Sequence, residues 1–290
     1  MIIDAHNHPE YGGHDFAHAI ENMDRHGIDV AWLLSWECPR DEYDPIYYSQ
    51  MPDVGGKGPA PFSRCLSWVE RAPDRFVLGF CPDPRTPDAV DRLRAAVKVL
   101  GVRVCGELKL RMMYDNPDAL RMFRYCAEAR LPVVLHLDYE YDTGQTYPRP
   151  SWWYGGGIEA LERVLQACPQ TIFLGHAPGF WTHISGTGVD PVNAYPKGPV
   201  TPGGQVVRLL RAHPNLYGDL SAESGLNALS RDPGFAREFV MEFQDRLLFA
   251  RDDYDNAHLE FLPKLDLPGP VLSKILSGNA LKLVPLERLQ

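Results

Sequence analysis

The chain has 290 residues, 44% hydrophobic and 23% charged, which is the composition of a folded protein and excludes general disorder. Lys and Arg number 29 against 38 Asp and Glu, a formal charge of −9 that repels phosphate backbones and anionic lipid, so neither nucleic acid nor a membrane surface is expected as a partner. No apolar run approaches the roughly 18 residues of a membrane helix, and Met1 leads into Ile2, Ile3 and Asp4 without a basic, then apolar leader, which predicts a cytoplasmic protein.

One alternation repeats along the chain: a short aliphatic run, a loop, then a segment with helical spacing. The runs predict strands near Ile2–His6, Val30–Leu34, Phe76–Phe80, Val102–Leu110, Val133–Leu137, Thr171–Gly175, Leu216–Leu220 and Arg246–Ala250. Between them, Phe16, Ile20 and Met23 form a helical stripe closed by Gly27. Thr86 as N-cap and Pro87 at the first helical position open a second stripe of Val90, Leu93, Val97 and Leu100, which Gly101 ends. Asn116 and Pro117 open a third in the same way, with Leu120, Phe123 and Ala127 turned inward, and Ile158, Leu161, Leu165 and Cys168 form a fourth closed by Pro169. Six cysteines, none in a Cys-x-x-Cys pair, read as reduced core residues.

Strands alternating with helices pair in parallel through right-handed crossovers. Eight such units fit an α/β fold of the (β/α)₈ (TIM) barrel type, with 1–290 as one domain. A doubly wound sheet is the alternative, but Pro9 and Glu10 stand where its glycine fingerprint would follow the first strand. Two long segments, Asp138 to Gly157 and Ala177 to Gly203, directly follow predicted strands and carry Tyr139, Tyr141, Tyr147, Trp152, Trp153, Tyr154, Phe180, Trp181, His183 and Tyr195. In a barrel they would cover the C-terminal mouth, where active sites sit.

His6 and His8 are two apart at the end of the first strand, so both side chains take one face. His136 and His176 end two further strands and Asp252 follows the last. Barrel closure would bring these five metal-competent groups around one axis. Imidazoles with one carboxylate suit Zn²⁺, with Mn²⁺, Fe²⁺ or Co²⁺ able to use the same set, and one ion is expected rather than two. In a barrel mouth such an ion keeps a position open for water, whose pKa it lowers to about 7, and Asp252 would hold and relay the proton.

Glu107 and Lys109 share a face of the fourth strand, the inner one in this reading. Glu107 would bind metal, or the two form a buried ion pair; Lys109 would otherwise hold a substrate carboxylate, and Arg111 would clamp an anionic group. His14, His18 and His26 lie on or near the first helix and His213 precedes a strand, positions that suit surface or capping roles. His183 and His258 are candidates for substrate contact. Asp219 and Asp253 are alternatives to Asp252 if the strand end shifts by a residue.

Asp4-Ala5-His6-Asn7-His8, Gly106 to Leu110, Leu131-Pro132-Val133-Val134-Leu135-His136, Gly175-His176-Ala177, His213-Pro214-Asn215-Leu216-Tyr217, Phe249-Ala250-Arg251-Asp252 and Gly278-Asn279-Ala280 together resemble the amidohydrolase superfamily. The chain looks most like its amidohydrolase-related (amidohydrolase 2) branch, which includes aminocarboxymuconate-semialdehyde decarboxylase and related hydrolases and lactonases. The resemblance implies a divalent metal held by His6, His8, His136 and Asp252, with His176 near the metal-bound water or substrate. Glu107 resembles the metal-binding glutamate of the TatD-like deoxyribonucleases, which would make a second ion feasible. Ala250-Arg251-Asp252-Asp253-Tyr254 departs from the Gly-Ser-Asp-x-Pro usual in the family.

The resulting expectation is a metal-dependent hydrolase of a small amide, ester or lactone, acting by attack of metal-bound hydroxide. Asp252 and His176 would be catalytic, and Lys109, Arg111, Trp181 and Tyr139 would hold the substrate. The rival is a non-oxidative decarboxylase of an aromatic or muconate-like acid using the same metal. Further rivals are a barrel that binds without turnover and, disfavoured by charge, a DNA-cleaving enzyme. The tryptophans near Trp152 would serve a second copy in a homodimer as readily as a ligand.

Overall fold

The computed structural model describes residues 1–42, 59–139, 153–187, 190 and 193–286. Among them eight strands follow in chain order: β1 (Ile3–Asn7), β2 (Val30–Leu33), β3 (Phe76–Leu78), β4 (Cys105–Leu108), β5 (Val133–His136), β6 (Phe173–His176), β7 (Leu216–Asp219) and β8 (Leu247–Leu248). Each expected strand is present with shifted or trimmed ends. All pairings are parallel, β1 to β3 in one sheet and β4 to β8 in another. Backbone bonds bridge both seams: Phe80 N donates to Val104 O at 3.0 Å between β3 and β4, and Ala5 N donates to Phe249 O at 3.1 Å between β1 and β8. The fold is a (β/α)₈ barrel.

Helices on the outside include α1 (Phe16–His26), α2 (Phe62–Arg71), α3 (Ala89–Leu100), α4 (Pro117–Ala129), α5 (Gly157–Ala167), α6 (Pro178–Trp181), α7 (Gln205–Ala212), α8 (Ala222–Ser230), α9 (Pro233–Phe243) and α10 (Ala257–Phe261). None is long and apolar enough to cross a membrane. The Asn116 side chain caps α4 by accepting from Asp118 N at 2.9 Å, and Gly101 ends α3 in the left-handed region at φ 75°. The expected start of α3 at Thr86 is corrected: the Thr86 hydroxyl donates to Asp83 O at 2.8 Å, which closes a turn, and the helix begins after Asp88.

Alternation along each strand splits the core into two layers. Val30, Trp32, Val77, Val104, Val134, Leu174, Tyr217 and Leu248 fill the barrel, while Ala31, Leu33, Leu78, Val133, Leu135 and Phe173 meet Leu93, Phe123, Leu161 and Leu209 of the helices. All six cysteines are free and five are buried.

Two bulges set the phase of the residues above this core. On β1, Asp4 pairs with Ala31 and Asn7 with Leu33, so Ala5 and His6 both oppose Trp32. On β4, Cys105 pairs with Val133 and Leu108 with Leu135, so Gly106 and Glu107 both oppose Val134. A Cβ at Gly106 would come within 2.9 Å of the Val134 Cβ, so this doubled position requires glycine. After the bulges His6, His8 and Glu107 face the barrel axis.

Candidate metal centre

The strand ends bring His6, His8, Glu107, His136, His176 and Asp252 into one cluster. Three groups each hold their ligand atoms within 4.8 Å of one another: His6, His8 and Glu107; His6, His176 and Asp252; and Glu107, His136 and His176. Among the described residues no one group contains the four ligands implied by the sequence. Glu107, weighed there between ion pair and ligand, belongs to two of the three groups.

Hydrogen bonds at the far side of each ring fix what faces inward. A carboxylate and a backbone carbonyl only accept, so His6 Nδ1–H donates to Asp219 Oδ2 at 2.6 Å and His8 Nδ1–H donates to Leu34 O at 2.9 Å. When both rings are neutral, their Nε2 atoms turn lone pairs into the site, 3.3 Å apart. Two lone pairs at that distance repel unless a proton or a cation lies between them. His136 Nδ1–H donates to Glu107 Oε1 at 2.7 Å, and His176 Nδ1 meets the Ser221 hydroxyl at 2.8 Å.

The carboxylates complete the set. Asp252 Oδ1 lies 3.2 Å from His8 Nε2 and its Oδ2 lies 3.5 Å from His176 Nε2, while Glu107 Oε2 lies 3.4 Å from His8 Nε2. Glu107 Oε2 and Asp252 Oδ1 are buried without a hydrogen-bond partner among the described residues, an arrangement that is costly for anionic oxygens. Asp252 is held there from the β8–β1 seam, its N–H donating to His6 O at 2.8 Å with φ at 53°.

Charge follows the same pattern. Burial alone would lower the His6 imidazole, but the charges of Asp252 and Asp219 raise it to about 10. Glu107 is held well below the usual carboxylate range, against its burial, by His136 and Lys109. Asp252 is held low in the same way by His6, His176 and His8. The site is therefore acidic and draws positive charge. Inward lone pairs, unpartnered carboxylate oxygens and orienting Asp219 and Leu34 are what a divalent cation requires, so the residues fit a metal.

A cavity of about 450 Å³ opens above His136, His176 and Asp252, with Lys109, Tyr11, Tyr195, Ser224 and His258 on its walls. Lys109 is buried between the rings of Trp36 and Tyr154, its Nζ 5.7 Å and 5.6 Å from their centroids. A larger hollow of about 740 Å³ lies at the opposite barrel end, among Arg103, Arg130, Gln170 and Lys282, and includes none of the cluster.

Three expected substrate contacts, Trp181, Tyr139 and Arg111, lie elsewhere. Trp181 is buried, donating its indole N–H to Asp219 O at 2.9 Å, and it packs on Phe180 and Phe239 behind the site. Tyr139 meets His183 Nε2 through its hydroxyl at 2.6 Å and accepts from Ile158 N at 2.9 Å. Neither these two nor Arg111, whose N–H donates to Glu42 Oε2 at 3.2 Å, lines the cavity. Tyr141, Tyr147 and Trp152 lie outside the described residues. His14 stacks on Tyr254 at 4.1 Å.

Two functional neighbours were not singled out from sequence. Asp138, two residues beyond His136 and so on its face, is buried with Oδ2 3.9 Å from His136 Nε2, and burial pushes its carboxyl up. Ser221 stands in the same relation to Asp219, to which its N–H donates at 3.0 Å. The two-residue period that found His8 from His6 would have found both.

The amidohydrolase family model (Amidohydro_2) matches residues 3–286. The chain belongs to the amidohydrolase family. It is accordingly an enzyme of the metal-dependent kind that this family comprises. A search of curated protein sequences finds no match. Among solved structures, an uncharacterised TIM-barrel protein from Bordetella bronchiseptica is 18% identical over 98% of both chains, with a TM-score of 0.66. A dihydroxybenzoic acid decarboxylase from Polaromonas sp. JS666, solved with manganese and 2-nitroresorcinol, is 18% identical over 93% of this chain and 85% of its own, with a TM-score of 0.57. A probable 2-pyrone-4,6-dicarboxylic acid hydrolase from Acinetobacter baumannii is 14% identical over 97% of this chain and 98% of its own, with a TM-score of 0.59. These likenesses show the barrel.

Proposed function

We propose that this amidohydrolase is a hydrolase of a small amide, ester or lactone, with His6, His8, Glu107, His136, His176 and Asp252 as the donors from which one divalent ion takes its ligands. The three ligand groups overlap pairwise through His6, Glu107 and His176. An ion in one group therefore draws ligands from the others, which supports a single ion, Zn²⁺ or Mn²⁺. When bound, it supplies Lewis acidity, making water easier to deprotonate near neutral pH and polarising a carbonyl.

The observation that carries the hydrolytic reading is the position of Asp252. Its carboxylate reaches His8 through one oxygen and His176 through the other, and it lies on the cavity floor. There it accepts a proton from attacking water and delivers it to the leaving nitrogen or oxygen. His176, backed by Ser221, donates to the oxyanion that develops on the carbonyl. Lys109 on the cavity wall pairs with a carboxylate of the substrate.

Decarboxylation is the second reading, favoured by the same Lys109 and in keeping with the decarboxylase among the structures of like fold. Zn²⁺- or Mn²⁺-loaded protein incubated with lactones, esters, amides and hydroxylated aromatic acids separates the two. Ring opening or acid release, lowered about 10²- to 10⁴-fold by Asp252→Asn, is the expected result. Carbon dioxide released without any cleavage by water overturns hydrolysis in favour of the second reading.

A further inference from the structure

Opposite the β4–β5 side, where Lys109 stands, the cavity is walled by α8 and α10, which bring Ser224 and His258 to its surface. Ser224 is 3% and His258 5% exposed. Among the described residues neither the Ser224 hydroxyl nor either His258 ring nitrogen has a hydrogen-bond partner. The Leu220 carbonyl stands near enough to favour ring protonation slightly, yet outside hydrogen-bonding geometry; even with it, one nitrogen is left. Buried polar groups are nearly always paired, because each one left over is costly. Two such side chains on one cavity wall point to a partner brought by the ligand.

The charges around them select its chemistry. Burial lowers the His258 imidazole, so the ring is neutral and offers one donor and one acceptor, as the serine hydroxyl does. Glu223, Asp253 and Asp255 line the same cavity. Arg251 also borders it; its Nε is taken up by Asp4 at 2.8 Å and its Nη1 by Asn22 and the Asp255 carbonyl, while Nη2 has no partner among the described residues. A carboxylate offers acceptors only and would sit among acidic side chains; a hydroxyl both donates and accepts.

We infer that Ser224 and His258 form a specificity subsite for a neutral hydroxyl substituent of the substrate, across the cavity from the lysine that takes its anionic group. This rests on the cavity being the substrate pocket proposed above and adds the chemistry of one end of that substrate.

Calorimetric titration of Mn²⁺-loaded protein with benzoate, 3-hydroxybenzoate and 4-hydroxybenzoate tests it. At least one hydroxylated acid is expected to bind about three- to tenfold more tightly than benzoate, the worth of a hydrogen bond made to otherwise unpaired groups. Ser224→Ala and His258→Leu should each reduce that preference while leaving benzoate affinity within about twofold. Ser224→Ala removes a single atom, which keeps the test valid should His258→Leu fail to fold. Wild-type protein that does not prefer either hydroxylated acid, or a preference that survives in Ser224→Ala and every folded His258 variant, overturns the subsite and leaves the wall to water. Elemental analysis of the same samples separates this from the metal reading. A metal-free chain that still prefers the hydroxylated acids keeps the subsite and loses the metal; a loaded chain indifferent to the hydroxyl loses the subsite alone.

Discussion

Arg251 meets Asp4 at 2.8 Å with both side chains buried, a contact that ties β8 to β1 one residue before Asp252. The guanidinium also donates to Asn22 Oδ1 of α1 at 2.8 Å. The desolvation cost of such a pair offsets much of its attraction, yet removing one partner strands the other. Arg251→Met is therefore expected to lower stability by about 3–5 kcal/mol, read as a drop in the urea midpoint. Combining it with Asp4→Leu should cost less than the two single changes added together. Additive losses would show that the two side chains act separately.

This contact also marks the boundary of what the sequence reveals. The eight strands are legible because each is a short apolar run between Gly, Pro or polar turns, and the strand-end histidines follow from the runs. His6 and His8, like Glu107 and Lys109, are two apart beyond their bulges, so their shared faces survive the phase shift. The bulges themselves leave no mark on periodicity, and neither does the pairing of Asp4 with Arg251, which are remote in the chain. Trp181 and Tyr139 read as substrate contacts because aromatic residues crowd the loops at the mouth. Sequence does not say which way a loop residue turns, and these two turn toward Asp219 and His183.

Asp219 acts on the metal site through His6. By accepting from Nδ1 at 2.6 Å it fixes the ring orientation and leaves the Nε2 lone pair facing the cluster. Asp219→Asn preserves the shape but allows the amide to present a donor there, which favours the wrong tautomer. Metal affinity, measured by competition with a chromophoric chelator, is expected to fall about 10- to 100-fold. Unchanged affinity would remove His6 from the ligand set.

The pH dependence of stability carries a separate signature. Burial lowers the His183 imidazole from its ordinary 6.5, so the unfolded chain takes up this proton at higher pH than the folded one. The stabilising contribution is complete above about 6.5 and is lost as pH falls through that value toward the folded pKa. His258 and His176 are shifted in the same direction. His6 and His8 are shifted the opposite way, so the His183 contribution is read as a difference: from pH 7 to pH 5 the unfolding midpoint of the wild type should drop relative to that of His183→Asn. Equal slopes in the two proteins would mean that His183 titrates normally when folded.

Gly106 offers a test of how the barrel aims Glu107. Its place opposite Val134 leaves 2.9 Å to the Val134 Cβ and 3.2 Å to its Cγ2 for any added Cβ, and a β-branched neighbour has little freedom to retreat. Gly106→Ala should force the bulge open, lowering stability by about 1–3 kcal/mol and displacing the carboxylate that two of the three ligand groups share. Metal affinity should fall along with stability. Adding Val134→Gly removes both the Cβ and the Cγ2 that the new methyl would meet, so the double variant should regain metal affinity even though its core has lost the valine side chain. Recovery of binding without full recovery of stability would separate the aim of Glu107 from general packing. Binding that stays weak in the double variant would show that β4 is displaced by something other than this contact.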